Sequence, residues 1–267
     1  MSMVVIEKPQ PHVSVIRLNR PERLNSMSFE LVVPLHEAFR SVAADNDTYV
    51  AILTGAGRGF CSGLDLQDSG MPPGISGLPM SRIAIRAMET MSSLVPALRA
   101  MPQPVIAAIN GPAYGGGMCL ALGADIRIAS ESAVFRGAGI NNGLAGTELG
   151  VSFLLPRLIG ASRSNEIILS GREVDAAEAA HIGLVARVVA DAELMPAALA
   201  LADQMCGYSA HGLAMTKKIL WSNLETNSLE AAIDCENRNQ LLVRLTTENL
   251  QEAISARKEG RKPVYRD

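Results

Sequence analysis

The 267-residue sequence is poor in the features that would commit it to several large protein classes. It has four cysteines, Cys61, Cys119, Cys206 and Cys235, with no CxxC spacing among them and no secretory signal ahead of them. A disulfide framework is therefore excluded as the organising constraint, and reduced thiols in a cytoplasmic protein are expected. No apolar run approaches the roughly 18 residues that cross a bilayer, so no membrane partner is expected. The four histidines, His12, His36, His181 and His211, lie far apart and beside no acid or cysteine cluster, and no metal site is expected. A formal charge of -3 leaves no electrostatic footprint for nucleic acid. The nearest approach to a basic run is the tail "RKEGRKPVYRD", which is broken by acids and reads either as a solvated tail or as a phosphate contact.

What is present is apolar residue, 48% of the chain, enough for one good core or one domain with an appended subdomain. Residues 13–19, "VSVIRLN", alternate as a half-buried strand does. Residues 27–45 have helical spacing, with Leu31, Leu35, Ala38 and Val42 on one face and Pro34 in the first turns, where it is tolerated. "YVAILTG" (49–55) and "PVIAAIN" (104–110) are short apolar runs of the kind covered on both faces, and "DIRIAS" (125–130) reads as a further strand. Strands alternating with helices predict right-handed βαβ crossovers and a mainly parallel sheet. Residues 68–80, "DSGMPPGISGLPM", predict a loop near the site. From Gly160 onward the segments read as helices, so roughly the last hundred residues are expected to form a helical appendage.

Two of the apolar strands end in glycine-rich turns, "TGAGRGFCSGLDL" (54–66) and "NGPAYGGGMCLAL" (110–122). Ligands of open parallel sheets bind beyond the carboxyl ends of the strands, so both turns can face one ligand. The second places Gly115, Gly116 and Gly117 at a helix start, where amides lack intrahelical partners and the macrodipole is positive. That geometry serves an anion, either a phosphate or a developing oxyanion. No Gly-Lys-Ser/Thr and no GxGxxG with its distant acid is present, so a single oxyanion fits better than a nucleotide phosphate. Tight helix packing is the other reading of the triple glycine.

Five segments occur in order over nearly the whole chain: "NRPERLNSMS", the two glycine turns with their strands, "LSGREVDAAEAAHIGLVARVV" and the ending "RKP". Together they resemble the enoyl-CoA hydratase/isomerase (crotonase) family. The resemblance implies an α/β fold, a spiral of ββα turns with a C-terminal helical subdomain. It implies a crotonase core over residues 1–195 and a helical trimerisation region over 196–267. An acyl-CoA substrate is implied, with coenzyme A part of the substrate and no separate cofactor, in a homotrimer or a dimer of trimers. By similarity, the amides of Leu64 and Gly116 form the oxyanion hole for the thioester carbonyl. Arg23, Leu24, Ser62, Gly63, Asp65, Gly115, Gly117 and Asn142 surround the substrate, and Arg23 can meet a CoA phosphate. Without one, Arg20, Arg23 and Lys262 are expected to be exposed, solvated charges.

The pattern also has departures. The family's hydratases carry a glutamate two positions after the triple glycine, where this chain has Cys119, and a second shortly after "AVF", where it has Gly139. Cys119 reads as a small core residue. The remaining candidate base is Glu148. In the peroxisomal-type Δ3,Δ2-enoyl-CoA isomerases a single glutamate lies in a similar stretch, and Glu148 precedes Pro156 by the matching eight positions. The alternative is an ordinary acid at a helix N-terminus, with Thr147 as the cap. Asn141 and Asn142 read as turn residues, and Asp65 and Asp125 as structural acceptors. Three functions remain open: an isomerase with Glu148 as single base, a hydratase of atypical site, and a catalytically silent acyl-CoA-binding protein.

Overall fold

The computed structural model describes residues 2–266. β1 (Val4–Gln10) and β2 (Val13–Leu18) form an antiparallel hairpin. α1 (Phe29–Ala43) follows and runs on through Pro34, with Leu31, Leu35, Ala38 and Val42 buried as their spacing predicts. β3 (Val50–Gly55) lies parallel to β2. Residues 68–79 form no regular element ahead of α2 (Met80–Ser92) and α3 (Leu94–Ala100). β4 (Val105–Ile109) pairs parallel with β3 and leads into the short β5 (Ala113–Tyr114) and α4 (Gly116–Gly123).

The unit then repeats. β6 (Ile126–Ser130) lies parallel to β4, and β7 (Val134–Arg136) lies parallel to β5. Strand of the main sheet, strand of a second sheet, helix: this succession is the spiral of ββα turns. α5 (Val151–Ile159) and α6 (Ala161–Ser170) follow. β8 (Val174–Asp175) pairs antiparallel with β7, and after α7 (Ala176–His181), β9 (Arg187–Val189) joins β6. The main sheet runs β1-β2-β3-β4-β6-β9 and the second β5-β7-β8. Four helices end the described chain: α8 (Leu194–Cys206), α9 (Ala210–Asn223), α10 (Leu229–Thr246) and α11 (Asn249–Glu259). Among the described residues no helix is long and apolar enough to cross a membrane.

Side chains of successive strand residues point to opposite faces, and here they divide into two apolar clusters. Ala51, Leu53, Val105 and Ala107 join the larger one with α1, α3 and α4. Val50, Ile52, Ile106 and Ala108 join a smaller one closed by Leu194, Ala198 and Ala202 of α8. Covering both faces of a parallel sheet is what its unbroken apolar strands require.

Two expectations meet a different outcome. Residues 13–18 have no wet face: Val13 and Val15 lie under α8, and even Ser14 is buried, its hydroxyl 2.6 Å from that of Thr48. The chain beyond Gly160 is not purely helical, because β8 and β9 return to complete the two sheets. Residues 195 and 196, the boundary expected between core and helical region, lie within α8, whose Ala198 and Ala202 pack on the sheet.

Candidate active site

The turn after β3 is held in shape by two asparagines. Asn25 donates from Nδ2 to the carbonyls of Ala56 and Gly59 (3.0 and 2.8 Å), and Asn110 donates to those of Gly57 and Gly59 (2.9 and 3.2 Å). The two glycine turns then zip together. Cys61 N donates to Pro112 O (3.1 Å) and Tyr114 N to Cys61 O (3.0 Å). The approach is so close that a Cβ on Gly117 would fall on the Cys61 carbonyl. Gly117 is therefore a glycine because a neighbouring backbone occupies its side-chain space. Gly63, with φ +83°, abuts the start of α4: a Cβ there would stand 3.3 Å from Gly116 N.

Leu64 forms an isolated parallel bridge with Met27. Met27 N donates to Gly63 O (2.7 Å) and Asp65 N donates to Met27 O (3.0 Å). In a parallel pair of this register the flanking peptides make both bonds, so the N–H of Leu64 itself points the other way, and among the described residues no protein acceptor takes it. Gly116 is the first residue of α4, so its N–H lacks an intrahelical acceptor and lies at the positive end of the helix. Leu64 and Gly116 thus each carry an amide without a protein acceptor among the described residues, on two turns that meet at Gly63.

Glu148 comes to the same place. Its Oε1 lies 3.0 Å from where a Cβ on Gly115 would stand, so the carboxylate borders the start of α4. The chain there turns sharply: Leu149 has φ +44° and Gly150 φ +88°. Gly150, not Thr147, is the N-cap of α5, so Glu148 lies ahead of the helix and is not one of its first-turn acids. Burial alone pushes its carboxyl above the usual carboxylate value, with no cation to offset it. Cys119 is buried inside α4, and its thiol donates to the backbone carbonyl of Glu148 at 3.4 Å. Burial, with the Glu148 charge nearby, holds that thiol well above its ordinary pKa and therefore uncharged.

The expected substrate-facing residues divide. Leu24 accepts a bond from Ser62 N (3.0 Å), which ties Arg23 and Leu24 to the turn bearing Ser62, Gly63 and Leu64. Asp65 is buried and fully engaged: it accepts from Arg20 (2.6 Å), Arg23 (2.9 Å), Ser26 (3.2 Å) and the amides of Gln67 and Asp68 (3.0 and 3.1 Å). Burial opposes its charge, but the two amides and two guanidinium groups outweigh it and hold the carboxyl far below the usual range. Its role is to hold the turn in place. Arg20 is accordingly no solvated charge: its side chain is 12% exposed and paired with Asp65. Arg23 is more open at 31% and binds Asp65 and Gln67, while Lys262 is exposed as expected. Asn142 stands exposed in a short 3-10 turn, residues Ile140–Asn142, and its side chain bonds to neither glycine turn. Asn25, Asn110 and Leu149 were not singled out in the sequence. Asn25 had a signal, since asparagine tolerates the left-handed conformation found there (φ +55°). Among the described residues no group of three or more His, Cys, Asp or Glu could hold a metal ion.

This arrangement has close counterparts. The family model for enoyl-CoA hydratase/isomerase matches residues 8–267. The chain is 53% identical to the "Probable enoyl-CoA hydratase EchA12" of Mycobacterium tuberculosis, over all of this chain and 94% of that protein. A crystal structure of a "probable enoyl-CoA hydratase/isomerase" from Mycobacterium abscessus superposes with a TM-score of 0.94 at 48% identity, covering 99% of each chain. A monofunctional enoyl-CoA isomerase from M. smegmatis has a TM-score of 0.75 at 46% identity, over 87% of this chain and 99% of its own. With the family model matching residues 8–267 and these relatives aligned over almost its full length, the chain belongs to the enoyl-CoA hydratase/isomerase (crotonase) family.

Proposed function

We propose that the protein is an enoyl-CoA isomerase that moves a double bond from C3 to C2 of an acyl thioester, with Glu148 as its only acid–base group. Family membership implies the acyl-CoA substrate. The observation that carries the reading is the Glu148 carboxylate beside Gly115 at the N-terminus of α4, next to the Gly116 amide that has no intrahelical acceptor. With the thioester oxygen on the amides of Leu64 and Gly116, C2 lies next to the held carbonyl. Glu148 removes a C2 proton, and the C–H electron pair forms the enolate C1=C2 bond while negative charge moves to the oxygen. The amides stabilise that charge, worth about 3–4 kcal/mol per donor. The dienolate then takes the proton back from Glu148 at C4, giving the C2=C3 double bond and restoring the carbonyl.

A carboxyl with a raised pKa suits both halves, because it must hold the proton between them. Hydration asks for a second acid–base group beside the water. At the two positions where the family's hydratases carry glutamate, this chain has a buried, uncharged Cys119 and Gly139. The likeness to a monofunctional isomerase is in keeping with this. The test is product analysis on 3-enoyl and 2-enoyl thioesters. Glu148→Gln should lower isomerisation about 10²–10⁴-fold and leave acyl-CoA affinity by titration calorimetry nearly unchanged, since backbone amides hold the thioester. Full activity in that variant, or hydration outrunning isomerisation, rejects the mechanism. Saturable binding with no turnover of either substrate leaves the acyl-CoA-binding reading in its place.

A further inference from the structure

Between β7 and α5 the chain makes a closed detour, and Glu148 stands just past its far end. The two limbs of the detour meet where Gly139 faces Ala145 and Gly146. Inside it, Asn142 N and Leu144 N both donate to Gly139 O (3.1 and 3.0 Å), and Gly143 N donates to Ile140 O (3.2 Å). Its base is pinned on α6. A Cβ on Gly137 would stand 2.6 Å from Ile168 Cδ1, and one on Gly146 would stand 2.9 Å from Ile168 Cγ2. One side chain therefore packs against both the departing and the returning limb.

At the crossing the limbs touch backbone to backbone. A Cβ on Gly139 would fall 2.2 Å from Ala145 O and 3.3 Å from Gly146 Cα. The dihedral angles of Gly139, φ −55° and ψ −47°, are open to every non-proline residue, so glycine is needed here for space and not for conformation. Two residues beyond Gly146, the Glu148 carbonyl accepts from Val151 N (2.9 Å) and from the Cys119 thiol (3.4 Å). The carboxylate and Ala138 then flank one spot: Oε1 and the Ala138 Cβ lie 3.0 and 3.4 Å from where a Cβ on Gly115 would stand. The chain leaves this spot at Ala138 and comes back to it at Glu148.

We infer that Gly139 is a positioning residue for Glu148: the crossing it permits seats the carboxylate beside Gly115, and a side chain at residue 139 displaces it. This assignment rests on Glu148 being the base of the isomerase. At the position where the family's hydratases carry glutamate, the Ala145 carbonyl fills the side-chain space, so that glutamate and a seated Glu148 exclude each other in this backbone. A methyl at residue 139 must open the contact from 2.2 Å to at least 3.0 Å. A displacement of about 1 Å at a reacting group costs roughly 10²-fold in rate.

The experiment compares Gly139→Ala with Gly143→Ala. Gly143 has φ +71° and open space around it, so alanine there strains the same detour away from the crossing. Two readouts are taken on folded protein: kcat and KM with a 3-enoyl thioester, and titration of the Glu148 carboxyl by carbon NMR, its signal identified by loss in Glu148→Gln. Gly139→Ala is expected to lower kcat roughly tenfold or more with KM within about twofold, because the thioester is held elsewhere. Burial is what raises the Glu148 pKa, and the facing Cys119 thiol is uncharged, so the displaced carboxyl should titrate closer to the ordinary 4.5. Gly143→Ala should lose stability and keep both the kcat and the titration of the wild type. If Gly139→Ala does not fold, Gly146→Ala replaces it, since its methyl meets the side chain of Ile168 and moves the returning limb less. Its kcat should fall about threefold or more, with the same downward titration. A crossing variant with wild-type kcat and titration, or an equal loss in Gly143→Ala, overturns the inference and leaves the isomerase reading intact. A wild type that turns over neither thioester rejects that reading, and the carboxyl titration still decides whether the crossing seats Glu148.

Discussion

Glu148 is the residue on which the chemistry turns, and its environment gives a pH dependence with a definite sign. Burial raises its pKa above the ordinary value of 4.5, and the base works in its charged form. Isomerase kcat/KM should therefore rise with pH through a midpoint above 4.5, as a pH–rate profile will read. Stability moves the opposite way. The raised carboxyl contributes stability below its unfolded pKa and loses it as pH climbs through the folded value. Glu148→Gln should thus melt at a higher temperature than the wild type at pH 8, with the difference vanishing near pH 3.5. An unchanged gap across that range would mean that the carboxylate is solvated. Gly117 makes a second prediction at this scale. Gly117→Ala places a methyl on the Cys61 carbonyl, and overpacking of this kind costs about 1–3 kcal/mol. Its urea midpoint should fall, and isomerase activity should fall with it, because the same contact sets the distance between the two amide donors.

At the scale of elements, α9 is fastened to the sheet by one buried network. Lys217 Nζ lies 2.9 Å from Asp125 and donates to Gln103 O, also at 2.9 Å; Trp221 Nε1 donates to Asp125 at 2.5 Å, and Val105 N does so at 2.6 Å. Asp125 stands just ahead of β6 and Val105 opens β4, so this one carboxylate joins the starts of two strands to a helix nearly a hundred residues later. The Lys217 side chain is 4% exposed, and burial pushes its pKa down against the attraction of Asp125. Removing one partner of a buried pair costs about 3–5 kcal/mol, because the other charge is left without compensation. Lys217→Met should lose stability on that scale in urea unfolding. A loss under about 0.5 kcal/mol, the level of an unremarkable surface substitution, would show that α9 is anchored by its apolar contacts alone. The paired glycine turns work by the same logic, two elements distant in sequence aligned by a few short backbone bonds.

For the whole molecule, the C-terminal helices leave apolar surface without a partner in a single chain. Leu229, Ile233, Leu241, Leu242 and Leu245 of α10 are exposed, Leu245 at 80%, as are Leu250 and Ile254 of α11. Scattered exposed leucines are ordinary, but so many along two consecutive helices mark an interaction face. We expect this face to pack between subunits and the protein to form a trimer or hexamer, in keeping with its family. Light scattering at micromolar concentration should report three or six chains, and Leu242→Glu with Leu245→Glu should shift the population toward monomer. A stable wild-type monomer would reject this assembly.

The amino-acid order by itself determined the periodic and the local features. Apolar runs such as 49–55 and 104–110 could only be covered strands, helical spacing put Leu31 and Leu35 on one face of α1, and glycines appeared where backbone had to meet backbone. These are legible because each depends on neighbours a few positions away. Tertiary structure decided what depends on distant partners. It covered Val13 and Val15 of β2 with α8 and buried Ser14 on the opposite face, returned β8 and β9 to the sheets, and carried Arg20 from an expected surface charge to an ion pair with Asp65. It also left Asn142 exposed and away from the glycine turns, while a left-handed turn at Leu149 and Gly150 brought Glu148 to the start of α4. A carboxylate's pKa and a donor pair's geometry arise from residues far apart in the chain, and only the folded packing brings them within a few ångströms.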